Sequence, residues 1–337
     1  MFKNSNILYI STLLVTSFAF NIYYGSIGVY PIDTFAFFDS AYSINQGFIP
    51  IRDYWTSNGF LVDVIQSVFF EIFGVSWHVY LLHSSLVNFI LVFFTFKVLT
   101  NEGLSLKSSL LYSVLVGILA YPTVGVPFPD HHSLIFSLLS VYFLIFLIKK
   151  KNILHLFAIT FFLFISFLCK QVPATYFILL IGFYLMFISI KKKDYSYLYY
   201  PIIFIIILTT IFLLLLKLNN ILIQDFFIQY INFPITIGLD RTESLKFGIF
   251  LSSLVNEFKF FSIIFLIIIY QILKNKKFDF LSTNFIFILV AFISLINQEL
   301  MKNQNMIFFI LPILMGIVHS NINAERKINS YSFIPLA

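Results

Sequence analysis

Charged residues are scarce in this chain of 337 residues, since Asp, Glu, Lys and Arg together make up only 11% of it, against about 25% in ordinary soluble proteins. Hydrophobic residues reach 60%, and the mean hydropathy is +0.95. So few charged side chains do not cover a water-exposed surface. The composition therefore excludes a soluble domain and predicts an all-α integral membrane protein.

Cysteine and the common ligand-binding motifs are almost absent as well. Cys169 is the single cysteine, which excludes a disulfide scaffold. The chain has no Cys/His zinc spacing, no phosphate-binding Gly-rich loop and no dinucleotide fingerprint. The net charge of +6 comes from lysines in short runs between apolar segments, where they act as topology signals. We therefore expect no nucleic-acid partner, and the sequence assigns no cofactor.

Long apolar segments recur along the whole chain. A helix needs about 20 apolar residues to cross a bilayer, which predicts about ten transmembrane helices in a single polytopic domain, 1–337. The first segment is expected to be an uncleaved span, because no small-residue cleavage site follows it. The ten segments lie near residues 7–29, 79–98, 107–122, 132–148, 152–168, 173–190, 198–216, 258–273, 281–297 and 305–320.

The basic residues are unevenly distributed between the predicted loops. If the N-terminus is cytoplasmic, the inner loops hold 14 of the 21 basic residues and four of the 15 acidic ones. The outer loops keep the other seven basic and 11 acidic residues. Because basic residues concentrate in cytoplasmic loops, we predict a multi-pass protein of the cytoplasmic (inner) membrane with both termini inside.

Two long outer loops are predicted, over residues 30–78 and 217–257. In the first loop, Phe35, Phe38 and Tyr42 have the spacing of one helix face. This spacing predicts a helix that lies in the plane of the membrane interface.

Residues 60–73 carry a polar stripe on an otherwise apolar helix, bracketed by Gly59 and Gly74. The stripe consists of Asp63, Gln66, Ser67 and Glu71. A helix this polar is a poor free-standing span, so we predict a second interfacial helix in the first outer loop.

Two aspartates follow the first predicted span. Asp33 stands where the chain leaves the membrane, and Asp39 lies about 120° further around a helix of 3.6 residues per turn. A half-buried carboxylate at the membrane surface has its pKa tuned by its surroundings, as a general base requires. Asp33 also suits a helix cap and Asp39 a solvated helix face, so both interpretations stay open for these two catalytic candidates.

Arg52, Asp53 and Tyr54 form a second group of candidates, for substrate binding. Arg52 is a forked donor for phosphate or carboxylate, and the aromatic residues Tyr54 and Trp55 suit a sugar ring. Trp and Tyr are also enriched at membrane interfaces, so an interfacial anchor is the alternative.

Asp130, His131 and His132 form a third group, just after two prolines. Pro and Asp before an apolar run are typical of a helix start, so Asp130 is a candidate catalytic residue with a cap as the alternative. Adjacent histidines point about 100° apart on a helix, and a metal site here would need carboxylates from elsewhere. We predict hydrogen bonding or proton transfer for His131 and His132, and leave a divalent metal open without requiring one.

Lys170 and Gln171 lie in a short predicted outer turn. A lysine on the outer side, against the inner bias, suits the phosphate of a ligand. Snorkelling of Lys170 to lipid headgroups is the alternative. Both residues are candidates for substrate binding.

Taken together, these features resemble the GT-C superfamily of polyprenyl-phosphate-sugar-dependent membrane glycosyltransferases. The resemblance is strongest to the glycosyltransferase family 39-like branch, with the protein O-mannosyltransferases and aminoarabinose transferases, and covers roughly residues 7–190. The shared pattern is an Asp after the first span, an interfacial helix, a small-residue turn with a Pro, an Asp-Tyr segment, a Gly and an apolar helix ending in Phe-Gly. It is present here as Asp33, Asp39-Ser40-Ala41-Tyr42, Gln46-Gly47, Pro50, Asp53-Tyr54-Trp55, Gly59 and Phe69-Phe70-Glu71-Ile72-Phe73-Gly74, followed by the turn at 130–133 and Lys170-Gln171.

The resemblance implies an inverting transferase that moves a sugar from a polyprenyl-phosphate donor to a hydroxyl of a lipid, glycan or protein at the outer face. It implies Asp33 as the catalytic base with Asp39 as the fallback, Asp130 as a second-loop acidic residue, and Arg52 and Lys170 as contacts of the lipid phosphate. We predict that Asp33, Asp130 and either Arg52 or Lys170 converge in one outward-opening cavity.

Two other functions are alternatives. A non-catalytic transporter or lipid flippase places ionisable residues near the membrane midplane, whereas the predicted spans are almost free of charge. A polymerase or ligase of outer-face polysaccharides shares the predicted topology.

Overall fold

The computed structural model describes residues 4–28, 33–56, 59–121, 125–243, 247–274, 279–301 and 307–331, and this part of the chain is helical apart from one isolated bridge between Pro50 and Tyr54. A π-helical segment covers Phe227–Asn232. The α-helices are α1 (Asn4–Ile27), α2 (Asp33–Asn45), α3 (Phe60–Phe73), α4 (Trp77–Asn101), α5 (Leu106–Ala120), α6 (Pro129–Lys149), α7 (Ile153–Cys169), α8 (Gln171–Lys192), α9 (Ser196–Leu218), α10 (Ile223–Phe226), α11 (Phe233–Glu243), α12 (Phe247–Asn256), α13 (Lys259–Lys274), α14 (Thr283–Met301) and α15 (Ile310–Tyr331).

In the described part of the chain, fewer helices than the ten predicted are long and apolar enough to cross a bilayer. Within the described ranges, six helices are long and apolar enough to cross a bilayer, namely α1, α4, α6, α8, α9 and α14. A seventh span results if α12 and α13, bent by 90° at residues 257–258, form one broken span. Helices α5 and α7 have 15 and 17 residues, so at 1.5 Å per residue they extend only about 22 to 26 Å, less than a hydrocarbon core of about 30 Å.

Helix α6 lies at the centre of the bundle and packs against α4, α7 and α8. In the apolar segment of α6, 83% of the residues are buried, whereas only 6% are buried in the apolar segment of α9. A helix that is apolar and yet unburied faces lipid in a membrane bundle. Helix α9 is therefore a peripheral helix on the outside of α7 and α8.

Buried polar side chains join the helices of the bundle. The Asn88 Nδ2 of α4 donates to Asn21 Oδ1 of α1 at 2.7 Å and to the Gly117 carbonyl of α5 at 2.9 Å. The Thr95 and Tyr142 hydroxyls join α4 to α6 at 2.8 Å. Because lipid gives no hydrophobic drive for helices to associate, such bonds help to fix the packing.

The two helices predicted in the first loop are present as α2 and α3. On α2, Phe37 and Ala41 face the core while Phe35 and Tyr42 are exposed. Three of the four residues in the polar stripe of α3 turn inward, since Asp63, Gln66 and Ser67 are buried while Glu71 is exposed.

We call the end of the bundle that carries residues 33–76 the first-loop end. The opposite end, where α4, α6 and α8 finish at Asn101, Lys149 and Lys192, is called the lysine-rich end. The second predicted loop is largely helical, over α10, the π-helical segment, α11 and α12.

Candidate active site at the first-loop end

Asp33 is the first residue of α2, and Asp39 lies midway along the same helix. Both side chains are exposed, whereas a half-buried carboxylate was expected at Asp33, and neither makes a hydrogen bond or ion pair within the described part of the chain. A negative charge in the first turn of a helix is favoured by the helix dipole. The Asp33 carboxylate is therefore accommodated at this position and is free to meet a ligand.

Tyr80 brings the start of α2 beside the start of α6. Its buried hydroxyl lies 3.2 Å from the carbonyl oxygens of both Thr34 and Pro127. Thr34 follows Asp33, and Pro127 precedes Asp130 by three residues. One side chain thus places these two acidic residues at the same end of the bundle.

Asp130 forms an ion pair with Lys170. The Nζ of Lys170 lies 2.6 Å from Asp130 Oδ2, and the two side chains are only 16% and 9% exposed. The capping role considered for Asp130 is wrong, because α6 starts at Pro129 and its N-cap residue is Phe128, without a side-chain cap. Snorkelling does not describe Lys170 either, because its ammonium group is held by a carboxylate from the neighbouring helix.

The turn at Lys170 packs tightly against α3. A Cβ atom on Gly59 would lie 1.5 Å from the Cys169 carbonyl oxygen, so only glycine permits this contact. The Ser133 hydroxyl donates to the Lys170 carbonyl at 3.0 Å, and Ser166 donates to the Ser133 carbonyl at 2.7 Å. The first turn of α3 is thereby held beside the Asp130–Lys170 pair.

Asp63 joins α3 to α2 and to the turn that precedes it. The Ser40 hydroxyl donates to Asp63 Oδ2 at 2.7 Å, and the Ser40 and Tyr54 hydroxyls lie 2.8 Å apart. Burial raises the pKa of Asp63 to about 8 and that of Tyr54 to about 12. Asp63 is therefore a neutral carboxyl group at pH 7. The hydroxyl of Tyr54, a predicted substrate contact, is hydrogen-bonded to Ser40 of the protein itself.

His132 belongs to a buried chain of hydrogen-bonding side chains that reaches α3. Its Nε2 lies 3.2 Å from His83 Nε2, and its Nδ1 lies 3.1 Å from the Phe128 carbonyl. His83 Nδ1 lies 2.9 Å from Gln66 Oε1, while Gln66 Nε2 has no partner in the described part. If the Gln66 amide is rotated by 180°, its Nε2 donates a hydrogen bond to His83 Nδ1. His83 Nε2 then donates to His132 Nε2, and His132 Nδ1 donates to the Phe128 carbonyl. Both imidazoles are neutral in this arrangement.

His131 lies outside this chain and stacks on Tyr121, with ring centroids 4.9 Å apart. Within the described ranges, no group of three His, Cys, Asp or Glu side chains is arranged to hold a metal ion.

Arg52 does not join Asp130 and Lys170. Its guanidinium forms a two-pronged pair with the adjacent Asp53, at 2.8 Å for each contact, and donates to the Asn219 carbonyl at 3.1 Å. This hydrogen-bonded guanidinium lowers the pKa of Asp53. Arg52 and Asp53 therefore fasten the turn at residues 49–54 to the end of α9.

The segment after α9 is hydrogen-bonded both to the turn that carries Arg52 and Asp53 and to Gln171. Gln229 accepts from the Thr56 amide at 3.1 Å and donates to the Ile51 carbonyl at 2.8 Å. Gln171 donates to the Tyr230 carbonyl at 2.5 Å. The second predicted outer loop thus packs on the first one, and Gln171, a predicted substrate contact, has this structural bond.

Patterns in the sequence did not single out Ser40, Asp63, Gln66 or His83 as members of a site. The polar stripe of α3 was visible, but its burial was not. His83 offered a usable signal, because an ionisable residue inside a transmembrane helix marks a functional position by default.

No family model matches the chain, and no curated protein matches it in sequence. The crystal structure of ArnT from Cupriavidus metallidurans bound to undecaprenyl phosphate matches it with a TM-score of 0.58. The chain has an ArnT-like fold. The match covers 95% of this chain and 60% of ArnT at 14% sequence identity, so the chain spans about 60% of the length of ArnT.

Proposed function

We propose that the protein is an inverting glycosyltransferase, which moves a sugar from a polyprenyl-phosphate donor to a hydroxyl acceptor at the first-loop end. The observation that carries the proposal is the fold likeness to ArnT, a GT-C glycosyltransferase whose structure holds undecaprenyl phosphate. The first-loop pattern of Asp33, α2, Asp53-Tyr54 and α3 supports it independently, since it resembles the same superfamily. An activated lipid donor also explains a chain without a nucleotide-binding motif.

In the proposed reaction, Asp33 takes the proton of the acceptor hydroxyl while its oxygen attacks the anomeric carbon. The bond between that carbon and the phosphate oxygen breaks, and the electron pair leaves with the lipid phosphate. Asp33 suits this role because its carboxylate is exposed and unpaired within the described part. Asp130 suits it less, because its charge is neutralised by Lys170. Asp39, also exposed, is the alternative base.

The leaving phosphate gains negative charge, which a cation stabilises. Arg52 and Lys170 are both paired with acidic residues, so each would have to share its charge with a phosphate. Lys217, near the end of α9, is exposed and has no acidic partner in the described ranges. It borders a cavity of about 450 Å³ with Leu213, Leu216 and Ile221. We therefore add Lys217 to the candidates for the phosphate, with the apolar lining as support for the prenyl chain.

The test is the substitution Asp33→Asn in the purified full chain. Loss of a general base lowers a rate by about 10²- to 10⁴-fold, which corresponds to about 3 to 5 kcal/mol in the barrier. Asn keeps the shape of Asp33 and loses only the interaction of its charge with the helix dipole, about 0.3 to 1 kcal/mol, so a purely structural role predicts little change. Transfer would be measured with labelled undecaprenyl-phosphate sugars and lipid acceptors, and binding with undecaprenyl phosphate by native mass spectrometry.

Asp39→Asn is the matched control, because it removes an exposed carboxylate from the same helix. We expect it to keep most of the activity, with both variants binding undecaprenyl phosphate and unfolding at the same temperature as the native protein. Loss of transfer only in the Asp39 variant would assign the base to Asp39. Full activity of both variants would overturn the first-loop mechanism.

A further inference from the structure

A groove of about 530 Å³ opens between α4, α6 and α7 at the lysine-rich end, opposite to the candidate active site. Its walls are formed by Phe93, Phe94, Phe143 and Phe146, and Lys97 and His155 lie at its rim. None of the candidate-site residues lines this groove, so a ligand bound here is independent of the proposed transferase activity.

The walls of the groove are a cluster of aromatic rings. The ring centroids of Phe94 and Phe143 lie 5.1 Å apart, and Phe143 and Phe146 each lie 6.0 Å from the His155 ring. These side chains are half-buried, and the groove is open on the outside of the bundle. An open apolar groove along membrane helices is filled by lipid chains, because water does not enter the hydrocarbon region.

Two lysines near this groove have no acidic partner in the described part of the chain. In the run of three lysines after α6, Lys149 pairs with Glu102 at 2.8 Å and Lys151 pairs with Asp194. Lys150, between them, is exposed and unpaired.

Lys97 is the second lysine without an acidic partner in the described part, and its Nζ lies 5.4 Å from the centroid of the Phe93 ring. His155 stands between the two positive charges. Its ring lies beside the Lys150 backbone and close enough to the Lys150 charge for electrostatic interaction. The rim of the groove therefore has an excess of positive charge above an apolar channel.

We propose that this groove binds an anionic phospholipid of the membrane leaflet at the lysine-rich end. The phosphate lies between Lys97, Lys150 and His155, and one acyl chain lies against the four phenylalanines. The occupant is anionic because Lys97 lines the groove and Lys150 lies beside His155 at its rim, both without an acidic partner in the described ranges. It is a lipid because an apolar channel leads away from these charges. Phosphatidylglycerol serves as the probe, and phosphatidylcholine as the neutral comparison.

The experiment compares the full chain with the double variant Lys97→Gln/Lys150→Gln. Each protein is purified from vesicles containing both lipids in equal amounts, and the retained lipid is identified by native mass spectrometry. We expect the native chain to retain phosphatidylglycerol in preference to phosphatidylcholine. Basic residues near an anionic lipid surface contribute about 1 kcal/mol each, so the double variant should lose about 30-fold in this preference.

The control is Lys107→Gln/Lys193→Gln, which removes two exposed lysines from the same end without altering the groove. It should keep the preference of the native chain. Equal retention of both lipids by the native chain, or an equal loss in the control, would overturn the site. Displacement of the lipid by millimolar inorganic phosphate would also overturn it, because the acyl chain would then contribute nothing.

Discussion

The buried carboxyl group of Asp63 makes the free energy of unfolding of the protein depend on pH. Its carboxyl group is buried in α3, and burial raises its pKa from 3.8 to about 8. Between pH 4 and pH 8 the unfolded chain has lost this proton while the folded chain keeps it. The free energy of unfolding therefore falls as the pH rises through this range, and the loss is complete above about pH 8.

The size of the effect follows from the two pKa values. Each unit of difference corresponds to about 1.4 kcal/mol, so about three units between pH 5 and pH 8 amount to about 4 kcal/mol. Asp63→Asn replaces the carboxyl group with a neutral group of the same shape, which still accepts a hydrogen bond from Ser40. The variant should match the native chain at pH 5 and be more stable at pH 9 by this amount.

Thermal unfolding in detergent at pH 5 and pH 9 would measure the difference, followed by intrinsic fluorescence. At about 2 °C per kcal/mol, the midpoint of the variant should exceed that of the native chain by about 8 °C at pH 9. Glu71→Gln is the control, because Glu71 is an exposed carboxylate on the same helix. If the unfolding midpoint changes equally between pH 5 and pH 9 in the Asp63 variant and in the native chain, the proposal that Asp63 is neutral is refuted. A variant already unstable at pH 5 would show that Ser40 binds an ionised carboxylate.

Three further predictions concern other contacts of the same bundle. Gly59→Ala should abolish folding, because the added Cβ would overlap the Cys169 carbonyl. The measurement is loss of the monodisperse peak in size-exclusion chromatography. Gly182→Ala is the control and should be tolerated, because its added Cβ meets nothing within 4 Å. Lys170→Gln should lower the free energy of unfolding by about 3 to 5 kcal/mol, because it leaves a buried carboxylate unpaired, and adding Asp130→Asn should restore much of that loss in a denaturant titration. With Cys169 replaced by Ala, a cysteine at residue 193 should react with a membrane-impermeant maleimide only after the membrane is opened, and labelling of intact cells would reverse the predicted orientation.

The helices themselves were largely predictable from the sequence. Each of the ten apolar segments coincides with a helix, and the spacing of Phe35, Phe38 and Tyr42 correctly indicated α2. Hydropathy measures how well a segment tolerates lipid, but not how much of the membrane it crosses. Helices α5 and α7 are therefore as apolar as the longer helices although they have only 15 and 17 residues. The bend between α12 and α13 has no signature in composition.

The polar stripe of α3 shows why burial was harder to predict than helix formation. In a soluble protein such a stripe faces water, and the interfacial interpretation followed that logic. Beside a bilayer the apolar side chains can face lipid, so Ile72 and Phe73 are exposed while Asp63 and Gln66 turn inward. Their partners, Ser40 and His83, come from other helices, and no local pattern specifies them.

The pairing of charges at the first-loop end changes how its cations are interpreted. From the sequence, Lys170 was an isolated positive charge suited to a phosphate, because an ion pair formed across 40 residues leaves no local trace. Arg52 was given the same role although Asp53 follows it directly in the chain. In the structure each is neutralised by a carboxylate, at 2.6 Å for Lys170 with Asp130 and 2.8 Å for Arg52 with Asp53. A neutral pair attracts a phosphate far less than a free cation does. If the proposed donor binds at this end, we therefore expect its phosphate to be attracted by an unpaired cation such as Lys217, while the two pairs hold the surrounding loops in place.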